Sequence, residues 1–266
     1  MKIAQISDLH FGCINEEVKG ALLRHLLDAA PDLVIASGDL TQSATVAEFE
    51  AARAFFAELP MSVLSIPGNH DLPGMDITRF IDPFRRYRRL IAEDMNPEYR
   101  SDLVHVKGIN SARMILPHWN WANGSVSGRQ CRDIAAAFSA SSAPWRIVVL
   151  HHPMINSKDF PLAVTVFNAR ALLHTLADQQ VDVVLAGHQH HAYVETQTMN
   201  GHTTLFANAS TAISNRLRRQ PNGFNMLEFS DNSLRIDLLR YKDGAFTVFE
   251  AVSHTKTVNN LASAES

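Results

Sequence analysis

The chain has 266 residues, which is enough for one large domain with a sizeable core or at most two small ones. Hydrophobic residues make up 46% and charged residues 19%, which excludes an intrinsically disordered chain. The formal net charge of -3 argues against a protein that binds nucleic acid or membranes through bulk positive charge. No apolar run reaches the roughly 20 residues that span a bilayer. The N-terminal residues do not have the apolar core of a signal peptide. The only cysteines are Cys13 and Cys131, so no disulfide framework is indicated, and we expect a cytoplasmic protein.

The first part of the chain alternates predicted strands with predicted helices. Apolar residues at helical spacing predict a helix over 16–30, and Thr45 with Glu48 forms a capping-box pattern that starts a second helix. Three short apolar runs, two of them rich in β-branched residues, predict strands at 2–7, 33–36 and 62–66. This order predicts a parallel sheet with helices on its faces.

The pattern resumes after an irregular middle. We expect a strand at 146–150, a helix beginning at Ala169 and a strand at 181–186. Five further segments, separated by turn signals, are expected to be consecutive antiparallel strands: 193–199, 202–208, 224–229, 233–241 and 245–251. The sequence therefore predicts one domain over 1–252, followed by a polar tail over 253–266.

Metal-ligand side chains follow five of the predicted strands. They are Asp8 with His10, Asp39, Asn69 with His70, His151, and His188 with His190. Most of these residues are unremarkable alone, because such residues also occur in loops and turns and on exposed edges. The run Gly68-Asn69-His70-Asp71 is more specific, since its chance occurrence in a chain of this size is on the order of one in a thousand. Together they favour a metal site, since the carboxyl ends of parallel strands meet at one edge of a sheet. Carboxylates, imidazoles and an amide oxygen suit Mn, Fe or Zn better than Ca or Mg, and the absence of a thiolate argues against a structural zinc site.

The same motifs resemble those of the calcineurin-like metallophosphoesterases, most closely the class III cyclic-nucleotide phosphodiesterase branch and its nuclease relatives. The resemblance is carried by Asp8-Leu9-His10, Gly38-Asp39, Gly68-Asn69-His70-Asp71, His151 and Gly187-His188-Gln189-His190. It implies an α/β fold, a four-layer α/β/β/α sandwich of two mixed sheets flanked by helices. It also implies two metal sites. Asp8, His10 and His190 would hold the first ion and Asn69, His151 and His188 the second. Asp39 would bridge the two ions, and His70 would contact the substrate or leaving group.

The chemistry of such a centre follows from electrostatics. Two cations about 3.5–4 Å apart repel, so a shared carboxylate such as Asp39 must screen them, and a water between them acquires a pKa near neutrality. The resulting bridging hydroxide would attack phosphorus in line, with His70 as general acid for the leaving group. We expect two divalent ions as cofactors, Mn or Fe by preference and Zn as the alternative.

Other segments bear on substrate choice. Arg79, Arg85, Arg86, Arg88 and Arg89 form either the solvated face of a helix, with Phe84 and Tyr87 inward, or an insert that steers phosphate. The resemblance brings the segment containing Arg216 and Arg218 towards the active site, so both are predicted to bind substrate phosphate. Trp119 and Trp121 are either core residues or a platform for a base. Asp71 is expected to fix the turn beneath His70, whereas His152 and His191 are expected to point away from the ligands.

The sequence therefore favours a metal-dependent phosphodiesterase acting on a small or cyclic nucleotide. A nuclease or end-processing phosphoesterase is the first alternative, with nucleic acid as partner, and a phosphomonoesterase also stays open. A non-catalytic scaffold is disfavoured because His70 and all seven proposed ligands are intact. A homodimer is expected from the family resemblance alone.

Overall fold

The computed structural model describes residues 1–74, 81–114, 123–157 and 166–256. The strands, in chain order, are β1 (Lys2–Ile6), β2 (Leu33–Ser37), β3 (Ser62–Ile66), β4 (Glu98–Arg100), β5 (Val104–Ile109), β6 (Gly124–Ser125), β7 (Trp145–Leu150), β8 (Val166–Phe167), β9 (Val183–Ala186), β10 (Tyr193–Met199), β11 (His202–Asn208), β12 (Gly223–Phe229), β13 (Ser233–Lys242) and β14 (Ala245–Thr255). The helices are α1 (Glu16–Ala29), α2 (Val46–Ala57), α3 (Arg85–Leu90), α4 (Gly128–Ser139) and α5 (Ala169–Asp178). None of these helices is long and apolar enough to cross a membrane.

The first sheet has the strand order β14-β13-β12-β1-β2-β3. Its parallel half is β1, β2 and β3, and β12 joins it antiparallel to β1, with Ile3 opposite Leu227. Strands β13 and β14 extend this antiparallel half. The parallel half thus brings the carboxyl ends of β1, β2 and β3 to one edge, as the sequence predicted.

The second sheet has the order β10-β11-β9-β7-β5-β4, in which β5, β7, β9 and β11 are parallel. The edge strands β10 and β4 are antiparallel to their neighbours. The expectation of five consecutive antiparallel strands is wrong at one point. Strand β11 ends in this sheet, and the chain then crosses back to place β12 beside β1 in the first sheet.

Three apolar layers hold the sandwich together: one between the two sheets, and one between each sheet and the helices that cover it. The layer between the two sheets is fully apolar at its centre and includes Ile3, Leu33, Ile35, Val106, Ile147, Val149, Val183, Leu185 and Leu227. Helices α1 and α2 pack on the outer face of the first sheet through Val18, Leu22, Leu26, Phe49 and Phe55. Helices α4 and α5 cover the second sheet through Ile134, Phe138, Leu172 and Leu176. The four-layer fold predicted from the resemblance is confirmed.

The local signals that start the helices behave as expected. Asn15 caps α1 by accepting from the amides of Glu17 and Val18, and Thr45 and Glu48 form the predicted capping box of α2. The middle of the chain is more regular than predicted, because β5 runs parallel to β7 and α4 packs on it. The last strand continues to Thr255 rather than 251. The domain limit at 252 stays a prediction, since 257–266 lie outside the described residues.

Candidate metal centre

The predicted ligand residues converge from both sheets. Loops after β1, β2 and β3 carry Asp8, His10, Asp39 and Asn69, whereas β7 and β9 of the second sheet lead into His151, His188 and His190. Backbone hydrogen bonds continue the ladder into these loops, with the amide of Asp8 donating to Gly38 O (3.0 Å) and that of His10 to Asp39 O (3.0 Å). The site therefore lies across the junction of the two sheets, and neither sheet alone supplies a complete ligand set.

Many of these residues have a backbone conformation that L-amino acids seldom adopt. Asp8, His10, Asp39, His188 and His190 all have positive φ, between 48° and 69°. Asp, Asn and His tolerate this region better than most side chains, but each such residue still costs on the order of 1 kcal/mol. Such strain collects at functional sites, where the surrounding structure holds the backbone in place. In this site the positive φ values turn the side chains of Asp8 and His10, and those of His188 and His190, towards the centre of the ligand cluster.

The first group of donor atoms comprises Asp8 Oδ1, His10 Nε2 and His190 Nε2. The two imidazole nitrogens are 3.1 Å apart, and His190 Nε2 is 3.1 Å from Asp8 Oδ1. The other oxygen of Asp8 accepts from the amide of His188 at 2.9 Å, which leaves Oδ1 aimed at the imidazoles. Among the described residues no hydrogen-bond donor faces this buried Oδ1 atom.

The second group comprises Asn69 Oδ1, His151 Nε2 and His188 Nδ1. His151 Nε2 is 3.2 Å from Asn69 Oδ1 and 3.2 Å from His188 Nδ1. His151 and His188 are buried, and Asn69 is half-buried. The side chain of Asn69 therefore presents its amide oxygen, an uncharged metal-ligand atom, to the imidazoles.

Asp39 stands between the two groups. Its Oδ2 atom is 3.3 Å from His151 Nε2 on one side and 3.8 Å from His10 Nε2 on the other. Its Oδ1 atom accepts the backbone amide of His70 at 2.8 Å, which fixes the plane of the carboxylate. A single carboxylate thus faces both groups, as a bridging ligand must.

The tautomers of the histidines fit a cation in each group. His10 Nδ1 donates to Thr41 O (3.3 Å), His190 Nδ1 to Arg216 O (2.5 Å) and His151 Nδ1 to Ser37 O (2.9 Å). When neutral, an imidazole that donates from Nδ1 carries a lone pair on Nε2, so each of these rings can offer a lone pair to a cation in the site. Lone pairs 3.1 Å apart repel unless a cation lies between them, and this donor chemistry fits two metal ions.

Electrostatics favours the same conclusion. Burial lowers the pKa of His10 and of His188 to about 3 each, so both rings are neutral at pH 7. Burial opposes ionisation of Asp8 and Asp39, but nearby imidazoles outweigh it and hold both carboxyl pKa values below their usual range. Burial also opposes protonation of His151, yet the carboxylate of Asp39 beside it raises the His151 pKa to about 9.

His70 lies beside His10 and Asp39, and one of its ring nitrogens is within 4.8 Å of their donor atoms, although it is not one of the predicted ligands. Its ring is edge-on to His10, with centroids 4.8 Å apart, and its Nδ1 donates to Gln42 O at 2.8 Å. Arg216 Nη1 donates to His70 Nε2 at 2.9 Å and to Gln42 Oε1 at 3.1 Å. Of the two predicted substrate arginines, the structure brings Arg216 to the site. Arg218 is half-buried, and no hydrogen bond joins it to the described site residues.

Two supporting side chains differ in how well the sequence predicted them. Asp71 lies beneath His70 as expected. Its buried carboxylate accepts the backbone amides of Leu40, Thr41 and Gly68 and the hydroxyl of Thr41, so it ties together the loops that follow β2 and β3. Burial, together with the charge of Asp39, raises the Asp71 pKa to about 6. Gln42 was not predicted, because nothing local in the sequence shows that its carbonyl and side chain meet His70 and Arg216.

The expectation that His152 points away is wrong. Its buried ring lies 4.9 Å from that of His151 and 4.8 Å from that of His188, and its Nδ1 faces Ser111 Oγ at 2.8 Å. Side chains do not alternate between opposite faces here, because β7 ends at Leu150 and the chain is no longer extended at His152. His191 packs beside Tyr193, with ring centroids 6.2 Å apart.

The described part of the arginine cluster resembles a surface helix. Arg85 and Arg89 are exposed on α3, while Tyr87 is fully buried on its inner side, as that alternative predicted. Arg88 forms an ion pair with Asp82 at 2.6 Å. Arg79 and the segment from Trp119 to Trp121 lie outside the described residues.

Comparisons with known proteins agree with this geometry. The family model of the calcineurin-like phosphoesterases matches residues 1–192. A probable cyclic nucleotide phosphodiesterase of a Synechococcus strain is 26% identical over 246 residues, which are 88% of this chain and 90% of that protein. A cAMP/cGMP dual specificity phosphodiesterase of Mycobacterium tuberculosis is 25% identical over 206 residues, 71% of this chain and 62% of that one.

Solved structures share the fold at lower identity. A dimetal phosphatase from Danio rerio superimposes with a TM-score of 0.70 at 12% identity, covering 97% of this chain and 99% of that one. The family match extends over most of the chain, and its residues include every proposed ligand from Asp8 to His190. The chain therefore belongs to the calcineurin-like phosphoesterase family and is a metal-dependent phosphoesterase.

Proposed function

We propose that this protein is a binuclear phosphodiesterase that hydrolyses a small or cyclic nucleotide. The observation that carries the proposal is the position of Asp39 Oδ2, which faces His10 Nε2 on one side and His151 Nε2 on the other. A carboxylate shared between two sets of lone pairs is the arrangement that two adjacent cations require.

The ligand sets follow from the two groups of donor atoms. Asp8, His10 and His190 would hold one ion and Asn69, His151 and His188 the other, with Asp39 shared between them. When bound, the two ions supply Lewis acidity towards a water nucleophile and the phosphoryl oxygens. The ligands are nitrogen and oxygen atoms without thiolate, which favours Mn or Fe, with Zn as the alternative.

His70 is proposed as the proton donor to the leaving group. Since its Nδ1–H is committed to Gln42 O, Nε2 is the ring atom that would take up a proton from water and pass it to the departing alkoxide. Its backbone amide on Asp39 Oδ1 fixes the ring beside the shared carboxylate.

Arg216 is proposed to bind the phosphate. Its guanidinium lies at His70 Nε2 and Gln42 Oε1, both neutral acceptors, and an anionic phosphodiester is a better partner for these N–H groups. Binding of the phosphate would also release His70 Nε2 for its proton transfer. Arg218 stays a proposed substrate contact of second rank.

The substrate class rests on charge and on the relatives. The Synechococcus and Mycobacterium tuberculosis proteins are named as cyclic nucleotide phosphodiesterases, and the net charge of -3 does not favour a polyanion. In the arginine cluster, Arg88 is paired with Asp82 and Arg86 donates to Ala44 O, so part of its positive charge is already engaged within the protein.

A substrate panel on the Mn-loaded protein tests the proposal. The panel contains 3′,5′- and 2′,3′-cyclic nucleotides, bis-p-nitrophenyl phosphate, glycerophosphodiesters, p-nitrophenyl phosphate and single-stranded DNA, with Asp39→Asn as the inactive control. We expect hydrolysis of the nucleotide diesters with a weak dependence of KM on salt. Preference for DNA with a steep salt dependence would favour the nuclease alternative. A wild-type protein no more active than Asp39→Asn would refute the proposed function.

A further inference from the structure

The layer between the two sheets changes character just below the metal centre. At its middle it is apolar, with Ile3 of β1, Ile35 of β2 and Leu227 of β12 on the inner faces. One step nearer to the site, the inner positions of these strands hold Gln5, Ser37 and Asn225, all of them fully buried. Burying amides and hydroxyls costs free energy unless these groups are hydrogen-bonded.

Gln5 makes one of the hydrogen bonds that cross between the two sheets. Its Nε2 donates to Ala186 O at 2.8 Å and lies 3.3 Å from Ser37 Oγ. Its Oε1 accepts from Asn225 Nδ2 at 2.9 Å, so both polar ends of the side chain are engaged. The carbonyl of Ala186 also accepts the amide of Ala209 at 2.9 Å, and it therefore does not need Gln5 for its own satisfaction.

The two partners of the Gln5 amide are both next to ligands. Ser37 precedes Asp39 by two residues, and its carbonyl accepts the Nδ1–H of His151. Ala186 is the last residue of β9 and precedes His188 by two residues. Gln5 therefore links the end of β2, which leads to Asp39, to the end of β9, which leads to His188.

We propose that Gln5 is a positioning residue for the binuclear centre. By tying the end of β9 to the first sheet, it sets the spacing at which the carboxylate and amide ligands of one sheet meet the imidazole ligands of the other. The proposal rests on the proposed function, because it requires two ions between the sheets. It goes further in assigning a role to a residue that contacts neither substrate nor metal.

The test compares two cross-sheet hydrogen bonds at opposite ends of the sandwich. Gln5→Met replaces the amide by an unbranched apolar side chain of similar length. The matched control is Trp145→Phe, since Trp145 Nε1 on β7 donates to Ser230 O beyond β12 at 2.6 Å, away from the metal centre. Mn²⁺ binding is measured by titration, and coupling between the two ions by electron paramagnetic resonance.

We expect Gln5→Met to bind the second Mn²⁺ about 10-fold more weakly, since partners that orient metal ligands typically contribute 10- to 100-fold to affinity. The signal of the coupled pair should weaken at stoichiometric metal, and excess Mn²⁺ should restore turnover. Trp145→Phe should lower stability and leave both readouts unchanged. If Gln5→Met does not fold, Asn225→Ala, which frees Gln5 Oε1 and also removes the longer bond from Asn225 Nδ2 to Asn208 O (3.3 Å), should shift metal binding in the same direction.

Wild-type affinity and coupling in a folded Gln5→Met or, failing that, Asn225→Ala protein would overturn the inference. An equal loss in Trp145→Phe would overturn it too, because the effect would then be general destabilisation. Failure of the wild-type protein itself to bind two ions would refute the proposed function instead, so the two failures are distinguishable.

Discussion

Replacing Gly187 by alanine tests how tightly the two sheets meet at the metal centre. A Cβ atom at this position would lie 1.9 Å from Ser7 Oγ and 2.5 Å from Asp8 Oδ2, whereas real Cβ contacts essentially never fall below 3.0 Å. Ser7 Oγ would have to retreat by about 1 Å and the Asp8 carboxylate by about 0.5 Å, and overpacking of this kind typically costs about 1–3 kcal/mol. Metal–ligand distances tolerate only about ±0.2 Å, so the shift of Asp8 should also weaken metal binding.

The assay for Gly187→Ala pairs chemical denaturation with metal analysis of the Mn-loaded protein. Gly74→Ala is the control, because a Cβ there meets nothing within 4 Å. Adding Ser7→Ala to Gly187→Ala removes the nearest contact, so stability should recover in part while the clash with Asp8 still impairs metal binding. A Gly187→Ala protein with wild-type stability and two tightly bound ions would show that the reasoning about this junction is wrong.

Four further predictions follow from named contacts. His70→Ala should keep both ions but lose about 10²–10⁴-fold in turnover of diesters with poor leaving groups and much less with p-nitrophenolate; loss of metal would contradict its role as proton donor. Arg216→Ala should raise KM for diesters more than Arg218→Ala does, and equal effects would remove Arg216 from the phosphate site. Asp71→Ala leaves the buried backbone amides of Leu40, Thr41 and Gly68 without their acceptor, so its free energy of unfolding should fall by at least about 3 kcal/mol in urea denaturation, and a loss below about 1 kcal/mol would contradict this account. Because the His151 pKa is about 9 in the metal-free protein and ligation needs the neutral ring, Mn²⁺ binding near pH 7 should release a proton from His151 and tighten as pH rises towards 9; calorimetry in buffers of different ionisation enthalpy measures this, and affinity independent of pH would refute it.

The site was predictable because its residues follow directly after apolar strands. Asp8, Asp39 and His151 each come within two residues of a strand end. Because the carboxyl ends of parallel strands lie at one edge of a sheet, these residues are expected to lie close together. Positive φ at Asp8 and at His188 was not predictable, since these residues also adopt ordinary conformations. That strain is imposed by the loop hydrogen bonds and by the packing of the two sheets.

Features that depend on contacts between distant segments escaped prediction. Strand β5 contains His105 and Lys107, so its sequence resembles a polar segment rather than a buried parallel strand. In the fold His105 is paired with Glu98 at 2.7 Å, a contact that the sequence pattern does not show. Gln5 stands out locally only as a lone amide in an apolar strand, and its partner Ala186 is 181 residues away. Sequence periodicity does not show which sheet receives β12, because it reports which residues of a strand share a face and not which strand lies beside it.

The most direct test of the binuclear account is anomalous diffraction from a crystal of the Mn-loaded protein. We predict two anomalous peaks on either side of Asp39 Oδ2, one among Asp8, His10 and His190 and the other among Asn69, His151 and His188. A single peak, or peaks at other residues, would contradict the shared role of Asp39 and the mechanism built on it.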